Sequence, residues 1–383
     1  MSASQAAVSP VVDTFLKLCA IPSPSYHEEA CATWVRGYLD GLGLDVHEDD
    51  AGSAIPAGCG NLLVRIPGTV PGTPIFLCAH LDTVTLDDEV HPILDSDRGS
   101  ITNERDAILG GDNKAAVAVL LELARELVTE SVDHAGVELV FTPCEEVGLV
   151  GAKHFDVQQL QAKWGYVYDH ADEIGKIVAQ APTQISLRAT FVGQAAHSGI
   201  APEAGRSAVR AACEAVATMP HGRIDAETTA NVGLIEGGTA VNIVPERCTL
   251  RGEVRSLDHQ RVSAVAQQII DTFTDVATKH GVDVNIDSRQ EYRAYNHTEK
   301  SAPVQLAISA LQGAGYDAHL VSCGGGSDAH IFTGNGVPCV NLCNAMREIH
   351  TSNEYMLVED LEGMLRVTRE LVRLACAPEP GSM

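Results

Sequence analysis

The sequence predicts an α/β protein whose helix-flanked sheet is interrupted by a smaller inserted α+β domain. Three observations lead there. Strand-like and helix-like stretches alternate from Val11 to about Ala181, as an α/β sheet requires. From Thr183 the order becomes β-α-β-β-α-β, a split βαβ unit of four strands and two helices. After about Ala294 the α/β character returns and closes on a helix. At 383 residues the chain is too long for one ordinary core. The expected division is therefore 1–182 and 295–383 for the larger domain and 183–294 for the inserted one, with linkers near 182 and 294 forming a hinge.

In chain order, Val11 to Cys19 and Tyr26 to Leu42 read as helices, and Asn61 to Ile66 and Pro74 to His80 as strands. Asp112 opens a helix to about Thr129, with apolar residues at Val117, Leu120, Leu121, Ala124 and Leu127. Val137 to Phe141, interrupted only by Glu138, and Gly165 to Tyr168 are short apolar runs of the kind buried on both faces. In the insert, strands are expected at Gln184–Val192, Thr228–Glu236, Cys248–Arg255 and Val282–Ser288. Helices are expected there at Pro202–Thr218 and Leu257–His280. The last helix runs from Val358 to Leu374, and a short Pro/Gly-rich tail after it is expected to lack order.

Composition excludes several classes. A net charge of −25 argues against nucleic acid or an anionic membrane as partner. No apolar run approaches the roughly 20 residues of a membrane span, and Met1 to Val12 lacks the pattern of a signal peptide. The 11 cysteines form no Cys-x-x-Cys pair, and Cys78, Cys144 and Cys339 sit in strand-like runs. Buried reduced thiols, and hence a cytoplasmic location, are the expectation.

The chemistry gathers at strand ends, where open α/β sheets place their sites. Glu145 and Glu146 follow the apolar run that starts at Val137. Adjacent carboxylates there repel one another unless a divalent ion is bound. One can then hold the ion while its neighbour takes a proton from the attacking water. His80 and Asp82 lie two apart on an extended segment, so both side chains leave one face and the carboxylate can orient the imidazole. Asp112 follows Gly110-Gly111; alone it reads as a helix cap, and beside the other acids as a carboxylate bridging two metals. Asp169 after Tyr166-Val167-Tyr168 competes with Asp172 and Glu173 for a ligand role, and His350 lies in a loop.

These five elements, in this order, resemble the M20 metallopeptidases across essentially the whole chain. The segments Ala196-His197-Ser198-Gly199, Ala201 to Gly205, Gly222 to Asp225 with Asn231, and Thr239 to Pro245 are similar to the peptidase T-like branch. The resemblance implies a zinc-peptidase-like mixed sheet with an inserted ferredoxin-like lid and dimerisation domain. It implies two zinc ions, with manganese or cobalt as substitutes: one held by His80, Asp112 and Asp169, the other by Asp112, Glu146 and His350. Glu145 would be the general base and Asp82 the catalytic partner of His80. A cis peptide bond is implied between Asp112 and Asn113.

On the inserted domain His197 would stabilise the oxyanion, in some relatives from the opposite subunit. Asn242 and Arg255 would grip a substrate carboxylate, joined by the turn containing Gly325 and Ser327. The implied activity is an aminopeptidase acting on tripeptides or similar short peptides. The alternatives are a carboxypeptidase or N-acyl-amino-acid amidohydrolase and, from another class, a non-catalytic metal-dependent binding protein. A homodimer through the inserted domain is the implied assembly. Two positions depart from the better-known tripeptide aminopeptidases, which carry Arg-Asp where this chain has Arg255-Ser256 and proline where it has Ser198.

Overall fold

The computed structural model describes residues 8–85 and 88–376, and the tail expected to lack order lies beyond the described residues apart from its first two positions. The chain divides into two compact units. The larger comprises residues up to Ala179, His297–Ser322 and Ser327 onward; the other comprises Gln180–Asn296 with the short segment Cys323–Gly326.

The larger unit is built on a mixed sheet. Its centre is parallel: Ile75–His80 lies between Val137–Thr142 and Gly165–His170, and Cys339–Cys343 follows on the far side of Gly165–His170. Antiparallel strands close its sides, Leu62–Ile66 and Val46–Glu48 at one and Lys176–Ala181 at the other. Every residue of Ile75–His80 and Val137–Thr142 is buried, which is why these strands read as mainly apolar runs, Glu138 being the buried exception. Helix Gly111–Thr129 is buried on nearly all sides, and Pro10–Cys19 and Val358–Leu374 pack against it. Three parallel strands thus bring His80, Thr142 and Asp169 to the same end of the sheet, the carboxyl end. A separate small antiparallel sheet joins Pro92–Asp95, Ser100–Asn103 and Tyr355–Leu357.

The second unit is an antiparallel sheet in the order Gly222–Arg223, Thr228–Gly237, Arg247–Ser256, Thr183–Val192, Asp283–Tyr292. Along Thr183–Val192 burial alternates strictly, and Ile185, Leu187, Ala189 and Phe191 form the inward row. Helices Ala208–Thr218 and His259–His280 cover that row, with Phe191 and Phe273 meeting edge on at 5.9 Å.

Several helices start later than the sequence suggests. Helix Glu29–Gly41 does not include Tyr26, whose φ of +73° is left-handed and incompatible with a helical turn. The stretch expected as one helix from Pro202 is a short 3-10 turn, Pro202–Ala204, then an extended Gly205, then a helix from Ala208 capped by Ser207. Asp112 and Asn113 also depart from helical geometry, so the regular helix begins at Lys114. Among the described residues no helix is long and apolar enough to cross a membrane.

Candidate metal centre

Six of the residues singled out above meet at the carboxyl end of the parallel strands. His80 is the last residue of its strand and is buried. Its Nε2 lies 3.2 Å from Asp112 Oδ1 and 3.6 Å from Asp169 Oδ1. The other oxygen of Asp112 lies 3.3 Å from His350 Nε2, and that same nitrogen is 3.0 Å from Glu146 Oε1. One carboxylate therefore spans two imidazoles, with Asp169 beside the first and Glu146 beside the second. His350 stands at the exposed rim, with φ of +63°. The peptide bond between Asp112 and Asn113 is cis, as the resemblance implied.

Both acids of the Glu pair reach this cluster. Ligand atoms of His80, Asp112 and Glu146 lie within 4.8 Å of one another, and so do those of His80, Glu145 and Asp169. Asp82 fixes the turn that delivers them: its Oδ1 accepts the N–H of Glu145 at 2.9 Å and its Oδ2 that of Glu146 at 3.1 Å. The Ser25 hydroxyl donates to the same Oδ2 at 2.7 Å. The expected pairing of Asp82 with His80 takes a modified form. His80 Nδ1 is 3.0 Å from the Asp82 main-chain oxygen and 3.5 Å from its carboxylate.

The electrostatics follow from crowding four carboxylates and two imidazoles into one small volume. Burial alone would lower the His80 imidazole, but bonds to Asp112, Asp169 and Asp82 outweigh it and hold it well above its ordinary value. Burial would raise Asp112, yet bonds from His350 and His80 hold it well below the usual carboxylate range. Burial lifts Asp169 to about 7 against the pull of His80. Burial, with the charge of Asp169, also pushes Glu145 well above the normal range. His350 is raised to about 10 by bonds to Asp112 and Glu146. Groups that compete this strongly for positive charge fit a divalent cation, whose binding displaces protons from its ligands.

Three contributors carry no motif in the sequence. Glu354 accepts the main-chain N–H groups of Leu109 and Gly110 at 2.8 Å each and of Asp112 at 3.0 Å. Glu28 accepts the N–H of Cys144, whose φ is +56°, at 2.9 Å. Asn341 exchanges two bonds of 2.9 Å with the main chain of Asp169, which distinguishes that aspartate from Asp172. Nothing local marks these residues, because each acts on a segment distant in the chain.

In the second unit, His197 and Asn242 are neighbours. Residue 197 bridges Ile243, and the N–H of Ser198 donates to the Asn242 oxygen at 3.0 Å. The Arg255 fork faces Glu253, with Nε 2.9 Å from Oε1 and Nη2 3.0 Å from Oε2, while Nη1 donates to the Gly324 oxygen at 2.9 Å. Arg255 is thus joined to the turn that contains Gly325. Ser327 belongs to the larger unit and is only 1% exposed. Its main-chain oxygen accepts the N–H of His330 at the start of a helical turn, which draws the residue inward.

Residues 183–281 match the family model described as "Peptidase dimerisation domain", and residues 61–196 match "Peptidase family M28". An uncharacterised protein of Bacillus subtilis (strain 168), YqjE, is 37% identical over 92% of this chain and 94% of its own length. Peptidase T of Escherichia fergusonii is 27% identical over 82% of this chain and 85% of its own. Among solved structures, a tripeptidase from Staphylococcus aureus subsp. aureus mu50 superposes with a TM-score of 0.90 at 32% identity, covering 96% of this chain and 98% of that one. The aminopeptidase PepT from Bacillus cereus ATCC 10987 superposes with a TM-score of 0.85 at 34% identity, with the same coverage.

Proposed function

The chain belongs to the M20 metallopeptidases, in their peptidase T-like branch, and from that premise we propose that it is a two-metal aminopeptidase releasing N-terminal residues from short peptides. The observation that carries this reading is Asp112, which presents one oxygen 3.2 Å from His80 and the other 3.3 Å from His350. His80, Asp112 and Asp169 would hold one ion, and Asp112, Glu146 and His350 the other. Nitrogen and oxygen donors without thiolate suit zinc, with manganese or cobalt as substitutes. When bound, such a pair of ions supplies Lewis acidity and an activated water.

The residues divide the remaining work. Glu145, whose affinity for a proton is raised by burial, acts in its ionised form: it accepts a proton from the attacking water and passes it to the departing amine. Asp82 holds Glu145 and Glu146 by their main-chain amides, so each acid stays at its post. On the inserted unit, His197 would stabilise the developing oxyanion, and Arg255 with Asn242 would bind the peptide carboxylate. A guanidinium already paired with Glu253 can exchange that partner for a substrate carboxylate of the same shape. Buried free thiols, Cys78, Cys144 and Cys339 among them, support a reducing compartment such as the cytoplasm.

A screen of the metal-loaded protein against di-, tri- and N-acyl peptides tests the activity. Tripeptides with free amino termini should be cleaved fastest. Preferential hydrolysis of N-acyl amino acids would replace the aminopeptidase reading with an amidohydrolase. The match to a dimerisation domain further supports a homodimer through the inserted unit. Leu234 and Ile235, neighbours on strand Thr228–Gly237, are each 51% exposed, and a bulge beside Gly233 breaks the strand's register there. Ile235→Lys should shift the protein toward monomer in sedimentation equilibrium; an unchanged mass would place the contact elsewhere.

A further inference from the structure

Glu354 is a buried acid without a motif, only 3% exposed. Its carboxylate is directed at the main chain. Oε2 accepts the N–H of Leu109 and of Gly110, each at 2.8 Å, and Oε1 accepts that of Asp112 at 3.0 Å. Three amides thus converge on one side chain around the turn that presents Asp112. The two glycines of that turn have separate reasons. Gly110 sits at a φ of +78°, which side chains disfavour. A Cβ at Gly111 would lie 3.0 Å from Glu354 Oε1, so a bare α-carbon lets the carboxylate approach.

Glu354 also belongs to the loop that carries His350. The N–H of Glu354 donates to the Thr351 oxygen at 3.1 Å, closing the segment on itself. His350 Nε2 in turn stands 3.3 Å from Asp112 Oδ2. Residues 350–354 therefore hold Asp112 at both ends, by its amide through Glu354 and by its carboxylate through His350. A charged acceptor makes such bonds strong and directional, and burial keeps water from competing for them.

We propose that Glu354 is a positioning residue for the two-cation site: it sets the Leu109–Asp112 turn so that Asp112 offers one oxygen to each ion. This rests on the two-metal reading above. Groups that orient a ligand in this way typically govern metal affinity by about 10–100-fold. The two oxygens of Glu354 are not equivalent, which gives the proposal a graded signature. Glutamine keeps one acceptor oxygen, so it can retain the Leu109 and Gly110 bonds or the Asp112 bond, but not all three. Alanine retains none.

The test uses the full-length protein stripped with a chelator and titrated with zinc ion in a competing chelator, for wild type, Glu354→Gln and Glu354→Ala. Two zinc ions should bind wild type. Affinity for at least one should fall by about 10–100-fold in Glu354→Ala and by less in Glu354→Gln. On a short peptide kcat should fall while KM stays near the wild-type value, and excess zinc should restore kcat in Glu354→Gln. Thermal melts of the metal-free proteins separate positioning from general stability: Glu354→Gln should melt close to wild type yet bind zinc more weakly. If Glu354→Ala does not fold, Glu354→Gln decides alone. Wild-type zinc affinity in Glu354→Gln, or a weakening matched by its loss of folded protein, would overturn the proposal and leave the two-metal reading intact. A wild type that binds fewer than two ions would instead overturn that reading, and the role of Glu354 with it.

Discussion

The two units start their principal helices in opposite ways. In the inserted unit the cap stands beside its helix: Asp258 accepts the N–H groups of Gln260 at 2.7 Å and Arg261 at 3.2 Å, and Ser207 accepts that of Arg210 at 3.2 Å. In the larger unit helix Gly111–Thr129 has no side-chain cap of its own. Amides at its start are taken by Glu354, which is 242 to 245 residues away in the chain. A local cap serves one element. A distant acceptor makes the position of Asp112 depend on two segments at once, and that is useful where a ligand must be placed rather than a helix merely begun. The strands repeat the contrast. Thr183–Val192 in the insert alternates between buried and less buried residues, whereas Ile75–His80 and Val137–Thr142 in the larger unit are buried throughout.

If the larger unit holds the chemistry, the largest effect should come from the Glu pair. Glu145→Gln keeps the shape but removes the proton acceptor, so kcat should fall by about 10²–10⁴-fold with zinc content unchanged. Glu146→Gln alters a proposed ligand that faces His350 at 3.0 Å and should lower zinc affinity first. Metal analysis beside single-turnover kinetics separates the two. Equal behaviour in both measurements would dissolve the division of labour between them.

The same contrast decides what could be read from the sequence. Alternation marks the inward row Ile185, Leu187, Ala189 and Phe191, because one face of that sheet is covered by helices and a period of two is what covering one face produces. His80, Asp112, the Glu pair, Asp169 and His350 were legible as polar residues following apolar strands or glycine turns. The carriers of their geometry were not. Glu28, Asn341 and Glu354 have partners that lie 116, 172 and at least 242 positions away, and no periodicity reports such pairs. Asp112 shows the cost directly. Before a helix it reads as a cap, but its side chain spans two imidazoles and the capping falls to a residue near the other end of the chain. The helix expected from Tyr26 fails for a related reason: a left-handed Tyr26 precedes Glu28, which is committed to the amide of Cys144.

A smaller effect is expected on the inserted unit, at Arg255. Hydrogen bonds to charged groups contribute roughly 1.5–3 kcal/mol, so Arg255→Ala should raise KM about 10–150-fold for peptides with a free carboxylate. Peptide amides should lose much less, because they offer the fork no charge. The Glu253 pairing sharpens this comparison, since removing Arg255 also strips Glu253 and the Gly324 oxygen of a partner. Equal losses on acids and amides would make Arg255 a structural brace between its strand and the glycine turn, with the carboxylate recognised elsewhere.

The smallest effect should be at Asp258, and it tests the contrast between near and distant capping. Asp258→Ala deletes two bonds at the start of helix His259–His280 and should cost about 0.5–2 kcal/mol of stability, read as a lower urea midpoint at unchanged slope. Asp258→Asn should recover most of that loss, because an amide oxygen can still accept from either N–H. Zinc affinity should not move in either variant, since no proposed ligand lies in this unit. Glu354→Gln should show the converse, with weakened zinc binding at little cost in stability. A cap variant that weakened zinc as Glu354→Gln is expected to do would mean that helix starts in both units bear on the metal centre. The distance in sequence between a helix and its acceptor would then carry no functional meaning.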